Sequence, residues 1–297
     1  IISSVNETLY KEFIEDHIDT SKTDERIISN KYYMNNREYF VNFINSLFLP
    51  YKKQLEEDDK SLSCESRTGE FSLLTHQRIV RDYINSYTPY RGVLLYHGLG
   101  SGKTCSSIAI AEGLKTKQQI IVMTPASLRM NYIQELKMCG DILYNLKQYW
   151  EFISTIDKPE LNPILAKALS IDVKFVSKNN GAWFINMKKQ SNFEELSDEQ
   201  QKSINQQVDL MIASKYQFIN YNGMRLRNLN QMSKDGTINP FDNSVIIIDE
   251  VHNLISRIVN KLNKKDSMAY RLYEYLMKAE NCRIVLLSGT PIINYPN

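Results

Sequence analysis

Two short runs in this chain carry residue types that act together on a polyphosphate. The first, His97-Gly98-Leu99-Gly100-Ser101-Gly102-Lys103-Thr104, follows the apolar run Val93-Leu94-Leu95-Tyr96 and precedes a helical pattern through Ile108, Ala109 and Ala111. Glycines let the backbone curl so that successive N–H groups and a helix N-terminus point at anionic oxygens, an approach that side chains would block. This assigns Gly98, Gly100, Ser101 and Gly102 to a phosphate cradle, Lys103 to the β- and γ-phosphates of a nucleoside triphosphate, and the Thr104 hydroxyl to magnesium. The second run, Asp249-Glu250-Val251-His252, ends the apolar stretch 245–248 and puts two carboxylates at the mouth of a buried strand. Asp249 suits the magnesium shell, and Glu250 suits orienting or deprotonating an attacking water. Acids are also favoured at helix N-termini for capping and dipole reasons alone. The glycine loop, however, needs a metal-holding acid on a nearby strand, and this pair is its strong candidate. Phosphoryl transfer is mostly positioning and charge stabilisation, so lysine, metal and a placed water are the parts it requires.

The elements that must position these groups are readable as apolar runs. Val93-Leu94-Leu95-Tyr96, Ile120-Ile121-Val122-Met123, Val245-Ile246-Ile247-Ile248 and Ile284-Val285-Leu286-Leu287 each end in polar or glycine-rich residues. Short apolar runs alternating with helical patterns predict an α/β fold, a mostly parallel sheet with crossover helices and its ligands where the strand C-terminal ends open. The stretch between the second and third runs is longer than a crossover needs. Residues around 141–210 are therefore expected to form an insertion of helices and a hairpin, with Asn179-Asn180-Gly181 as a turn. Near the start, Tyr39, Phe40, Phe43, Ile44, Leu47 and Phe48 make an amphipathic helical pattern that Pro50 is expected to stop. The polar tract from Glu56 through Lys60 to Arg67 reads as a solvated linker. The expected organisation is a helical extension over residues 1–66 and a nucleotide-binding domain over residues 67–297.

Composition narrows the function less than these motifs do. The formal net charge is +2 with 24% charged residues, so any nucleic-acid surface must be local rather than a global basic field. Cys64, Cys105, Cys139 and Cys282 lack zinc spacing or a C-x-x-C pair, which predicts buried thiols in a reducing compartment. No apolar run approaches the ~18 residues that would span a bilayer, and the start Ile1-Ile2-Ser3-Ser4 has no leader pattern; a soluble intracellular protein without membrane partners is expected. The first residue is not Met and Tyr295-Pro296-Asn297 follow closely on an apolar strand, so a fragment of a longer protein is expected.

After the run 284–287 comes Ser288-Gly289-Thr290-Pro291, small hydroxyl residues that suit a link from the γ-phosphate site to a moving surface, or a plain turn. In order, residues 98–104, 249–252 and 288–290 resemble motifs I, II and III of superfamily-two helicases. The general phosphate-loop pattern has glycine where His97 stands; helicase-type loops vary there, so the departure bears on subclass. The resemblance implies a P-loop, RecA-like domain using ATP and Mg2+. It implies that His252, Ser288 and Thr290 couple hydrolysis to movement. In Leu73-Leu74-Thr75-His76-Gln77, Gln77 looks like the family's adenine-reading glutamine, with Phe71 a weaker candidate for stacking. Thr124-Pro125-Ala126-Ser127-Leu128 is similar to motif Ia, which implies that Thr124, Ser127 and Arg129 hold a nucleic-acid backbone; ordinary helix capping is the alternative. The phrases 71–77 and 94–104 resemble ATPases of large DNA viruses grouped with the poxvirus early transcription factor small subunit and nucleoside triphosphate phosphohydrolase. That implies a motor in viral transcription on DNA rather than RNA, a viral RNA polymerase or transcription-factor subunit as partner, and a place in the virion and host cytoplasm. In such proteins a second RecA-like domain brings arginines to the γ-phosphate. This chain ends before one could begin, so it is expected to bind ATP and hydrolyse it slowly, an arginine finger being worth ~10³–10⁵ in rate. A non-catalytic nucleotide-binding subunit of a polymerase complex and a GTPase-type switch stay open as alternatives.

Overall fold

The computed structural model describes residues 6–19, 29, 32, 36–60, 74–85, 87–96, 102–261 and 263–290. Its helices are α1 (Glu7–His17), α2 (Arg37–Leu47), α3 (Leu49–Lys60), α4 (Thr75–Tyr83), α5 (Lys103–Leu114), α6 (Arg129–Cys139), α7 (Leu161–Leu169), α8 (Val173–Lys178), α9 (Asp198–Lys215), α10 (Leu226–Met232), α11 (Val251–Val259) and α12 (Met268–Lys278). Its strands are β1 (Gly92–Tyr96), β2 (Gln119–Thr124), β3 (Trp150–Ser154), β4 (Gly181–Ile185), β5 (Tyr216–Asn220), β6 (Ser244–Ile248) and β7 (Arg283–Ser288). They fall into two compact units, residues 26–139 with 216–297, and residues 1–25 with 140–215.

The first unit is built on a five-stranded sheet in the order β1-β7-β6-β2-β5, parallel at every pairing. Strands β2 and β6 are buried along nearly their whole length. Strands covered on both faces have no solvent side, which is why they read as continuous aliphatic runs instead of alternating ones. One face carries the core of Ile121, Met123, Ile246 and Ile248 against Leu254 of α11 and Leu272 of α12. The other face is covered by α5, which packs on β6, β7, α4 and α6. Parallel register pairs Met123 with Ile248, Ile248 with Leu286, and Tyr96 with Ser288. All five strands therefore deliver their C-terminal ends to one edge of the sheet. This is the α/β, mostly parallel, helix-flanked architecture expected from the apolar runs.

The N-terminal region divides between the units. Helices α2 and α3 stay with the parallel sheet, where the Tyr51 hydroxyl donates to Asp82 Oδ2 at 2.7 Å. Helix α2 ends at Leu47, ahead of Pro50 as expected, and Pro50 sits in the first turn of the next helix, α3, where a missing N–H costs no hydrogen bond. Residues 56–60, expected as linker, are the C-terminal end of that helix, and residues 61–67 of the same tract lie outside the described residues. Helix α1 instead clusters with residues 140–215, its Phe13 ring 4.9 Å from that of Phe184 on β4.

In this second unit β3 and β4 pair antiparallel, with α7 and α8 between them in sequence. Asn179-Asn180-Gly181 is thus the exit from α8 into β4 and not the tip of a hairpin. Gly181, at φ +148°, lies where an added Cβ would stand 2.2 Å from the Ile153 carbonyl oxygen, so only glycine fits. The outer edge of β4 is covered by a side chain: Gln207 of α9 accepts from Trp183 N–H at 2.9 Å and donates to Trp183 C=O at 2.8 Å.

The cysteine expectation needs correction. Cys105, in the first turn of α5, and Cys139, the last residue of α6, form a disulfide with Cα atoms 5.7 Å apart. The packing of two helices joined through β2 brings together residues whose spacing in the chain suggested no pair. Cys282 is a free buried cysteine, and Cys64 lies outside the described residues. Among the described residues no helix is long and apolar enough to cross a membrane.

Candidate active site

Of the glycine loop, the described residues begin at Gly102; Gly98, Gly100 and Ser101, with His97 and Phe71, lie outside them. Gly102 caps α5 in the left-handed region, at φ +74° and ψ 34°. Its carbonyl accepts from Ser106 N–H at 3.0 Å, Ser106 Oγ at 3.2 Å and the Gln77 side-chain amide at 3.2 Å. A Cβ on residue 102 would stand 2.5 Å from Gln77 Nε2, so both the backbone angle and the neighbour demand glycine. Lys103 and Thr104 then open α5, whose first turn carries no acid, leaving the positive end of the helix dipole for an external anion.

Gln77 is 3% exposed on α4, and its amide is engaged at both ends: Oε1 accepts from Leu74 N–H at 2.9 Å while Nε2 holds Gly102. The structure therefore joins the glutamine to the phosphate loop itself.

At the end of β6, Asp249 N–H donates to the Met123 carbonyl at 2.9 Å, and Asp249 Oδ1 accepts from Glu250 N–H at 2.9 Å. Glu250 then takes the left-handed conformation, φ 48° and ψ 48°, as it caps α11. A non-glycine residue there is sparsely populated and persists only where surroundings over-determine it. His252 Nδ1 lies 3.3 Å from Glu250 Oε2 and 3.1 Å from Ser288 Oγ, and Thr290 N–H donates to the same hydroxyl at 3.1 Å. The three residues assigned to coupling therefore form one chain of contacts leading from Glu250 to the turn after β7.

Lys103 lies within electrostatic reach of Asp249. Burial raises the Asp249 carboxyl above the usual carboxylate range, and the neighbouring Glu250 charge adds to this, while the Glu250 N–H, Lys103 and His252 oppose it. A Cβ placed on Gly289 would lie 3.5 Å from Lys103 Nζ, so the ammonium also reaches the turn after β7. Two adjacent carboxylates, one of them unfavourably ionised, beside a lysine-bearing helix N-terminus form a donor set that fits a hard divalent cation carried on a polyphosphate.

One residue of this site escaped sequence reasoning. Tyr221, fully buried just after β5, donates its hydroxyl in a bifurcated bond to the carbonyls of Asp249 at 3.0 Å and Glu250 at 3.1 Å. Its only signal would have been a tyrosine directly after a strand, and that strand had not been recognised.

The turn after β2 differs in character. Thr124 is 1% exposed and its hydroxyl donates to the Pro125 carbonyl at 3.2 Å, so it holds the turn from inside. Ser127 and Arg129 are exposed, the Arg129 guanidinium lying 5.3 Å from the Phe218 ring centroid. Of the three residues expected to meet a nucleic-acid backbone, these two present their side chains outward. A cleft of 540 Å³ in the second unit, lined by residues including Phe152, Trp183, Ser203 and Gln206, contains none of the expected site residues.

Comparison with known proteins bears on what this arrangement is. The family model described as "Type III restriction enzyme, res subunit" matches residues 70–293. A candidate ATP-dependent RNA helicase of Acanthamoeba polyphaga mimivirus is 30% identical over 260 residues, covering 87% of this chain and 36% of that protein. A candidate helicase of Frog virus 3 is 25% identical over 225 residues, 74% of this chain and 18% of its own length. The African swine fever virus homologue of termination factor NPH-I is 25% identical over 258 residues, 86% of this chain and 28% of its own. The chain thus spans about a third or less of the length of these relatives.

Proposed function

The chain belongs to the family of the type III restriction enzyme res subunit, a helicase-type domain, and from that premise we propose that it is the ATP-binding half of a nucleic-acid-dependent ATPase motor serving viral transcription. The observation that carries this reading is the charge of Lys103, at the start of α5, acting on Asp249, at the end of β6. Residues 98–104 cradle the phosphates, with Lys103 on the β- and γ-groups. Thr104 and Asp249 hold Mg2+, which when bound neutralises charge on the β- and γ-oxygens. Glu250 orients the attacking water and takes its proton, and His252, Ser288 and Thr290 carry the change in its surroundings to the turn after β7. Gln77 reads the adenine edge. Ser127 and Arg129, on a turn held by Thr124, meet the phosphates of the track. DNA is the favoured track, and a viral RNA polymerase or transcription factor the expected partner. Relatives named for RNA helicase activity and for termination supply the two arms of the test.

That test is ATP hydrolysis by the full-length protein with and without single- and double-stranded DNA and RNA, in wild type, Lys103→Ala and Glu250→Gln. The reading requires stimulation by nucleic acid and its loss in both variants. Stimulation by RNA alone would move the track to RNA. Unimpaired hydrolysis by Lys103→Ala would overturn the reading.

A further inference from the structure

The conformation of Glu250 is held by a group outside its own strand and helix. Tyr221 leaves β5, two strands from β6 in the sheet order, and its hydroxyl reaches the carbonyls of both Asp249 and Glu250. Burial pushes the pKa of the Tyr221 phenol up to about 12, so it remains a protonated donor at any working pH. The main chain around Tyr221 is fixed in turn. Arg257 of α11 donates to the Tyr221 carbonyl at 3.1 Å, the Asn222 carbonyl at 3.2 Å and Asn222 Oδ1 at 3.3 Å. Two attachments therefore tie the loop after β5 to α11, one at the turn that begins the helix and one farther along it. Glu250, at φ 48°, is the second of the two residues between β6 and that helix. A left-handed glutamate relaxes toward the commoner right-handed region unless its carbonyl is held, and that relaxation would swing the carboxylate away from a water placed on the γ-phosphate.

From this geometry we infer that Tyr221 is a positioning residue for Glu250, so that hydrolysis depends on the loop after β5 although none of its residues is among those assigned to the nucleotide. The dependence has a direction. The end of β5 is in register with the end of β2, Asn220 opposite Thr124, so the loop lies beside the exposed Ser127–Arg129 turn. A backbone bound on that turn is thereby one loop away from the acid. The inference rests on the reading of Glu250 as the hydrolytic acid.

Tyr221→Phe in the full-length protein removes the hydroxyl and keeps the buried ring. The expected result is a fall in kcat of about tenfold, with KM for ATP, affinity for a non-hydrolysable ATP analogue and melting temperature unchanged. Arg257→Gln, which loosens the same loop from a partly exposed position, is expected to lower kcat in the same sense, and the double variant to fall no further than Tyr221→Phe alone. Should Tyr221→Phe fail to fold, Arg257→Gln carries the test alone. Wild-type kcat in both variants overturns the inference, as does a kcat that drops only in step with melting temperature and analogue affinity. Glu250→Gln measured alongside separates the two levels. If it hydrolyses ATP normally, the reading of the acid is wrong; if it is inactive while Tyr221→Phe is fully active, only the positioning role is lost.

Discussion

At the end of β6 the chain turns with Asp249 and Glu250 partly buried, tied to Met123, Tyr221 and His252, and with one backbone angle held in a rare region. At the end of β2, the neighbouring strand, it turns through one cycle of 3-10 helix with Thr124 tucked inward and Ser127 and Arg129 in solvent. On the proposed function the first turn must put a proton acceptor where a single water will be, and an ångström of slack there would cost rate. The second, on the same reading, would meet a regular array of phosphates, a target that long exposed side chains satisfy without rigid placement. The degree of burial at each strand end fits how exacting its proposed partner is.

The sharpest way to break this comparison is at the rigid turn. Glu250→Gln, which keeps the shape and removes the base, is expected to lower kcat by about 10³-fold while nucleotide binding, followed by displacement of a fluorescent ATP analogue, is retained. Parallel loss of binding would mean that the turn holds phosphate rather than activating water. Next in size is Gly102→Ala. It forces a Cβ into a φ of +74° and to within 2.5 Å of the Gln77 amide, and is expected to weaken ATP binding about tenfold in titration calorimetry. Wild-type affinity would show the Gln77 contact to be dispensable.

The exposed turn should respond more gently. Arg129→Ala is expected to weaken nucleic-acid binding by roughly three- to tenfold, with a shallower dependence on salt and unchanged basal hydrolysis. An unchanged salt slope in fluorescence anisotropy would remove Arg129 from the track. The smallest effect is on stability. Asp249 has a folded-state pKa above its ordinary value, so its ionisation costs folding free energy as pH rises through that value, and the cost is absent at lower pH. Without nucleotide or metal, Asp249→Asn is therefore expected to melt slightly above wild type at neutral pH, the gap closing as pH falls toward about 4. A variant less stable than wild type at neutral pH would mean that the carboxylate is held by partners rather than strained by burial.

How far the sequence could be read follows from the same physics. Strands β2, β6 and β7 were visible because central parallel strands are apolar on both faces, and β1, at one edge of the sheet, because its apolar run leads straight into the glycine loop. Strand β5 was not, since Tyr216-Gln217-Phe218-Ile219-Asn220 lies at the sheet's edge, partly solvated, and follows α9 without a break. With β5 went Tyr221, whose role depends on where its strand lies in the sheet. The pairing of Cys105 with Cys139 was hidden for a similar reason, because helix packing and not spacing makes them neighbours. The acid pair needed no such knowledge, because a carboxylate doublet directly after four consecutive aliphatic residues is visible in the chain itself.

Gln77 leaves one consequence for how nucleotides are told apart. Its amide already has a partner on each side, the Leu74 N–H and the Gly102 carbonyl. Each of the two amide atoms keeps a second hydrogen-bonding position, so a purine that uses this side chain would be read by a group already anchored to the phosphate loop. Choice among nucleotides and the seat of the triphosphate would then rest on one buried amide, and losing it would cost both.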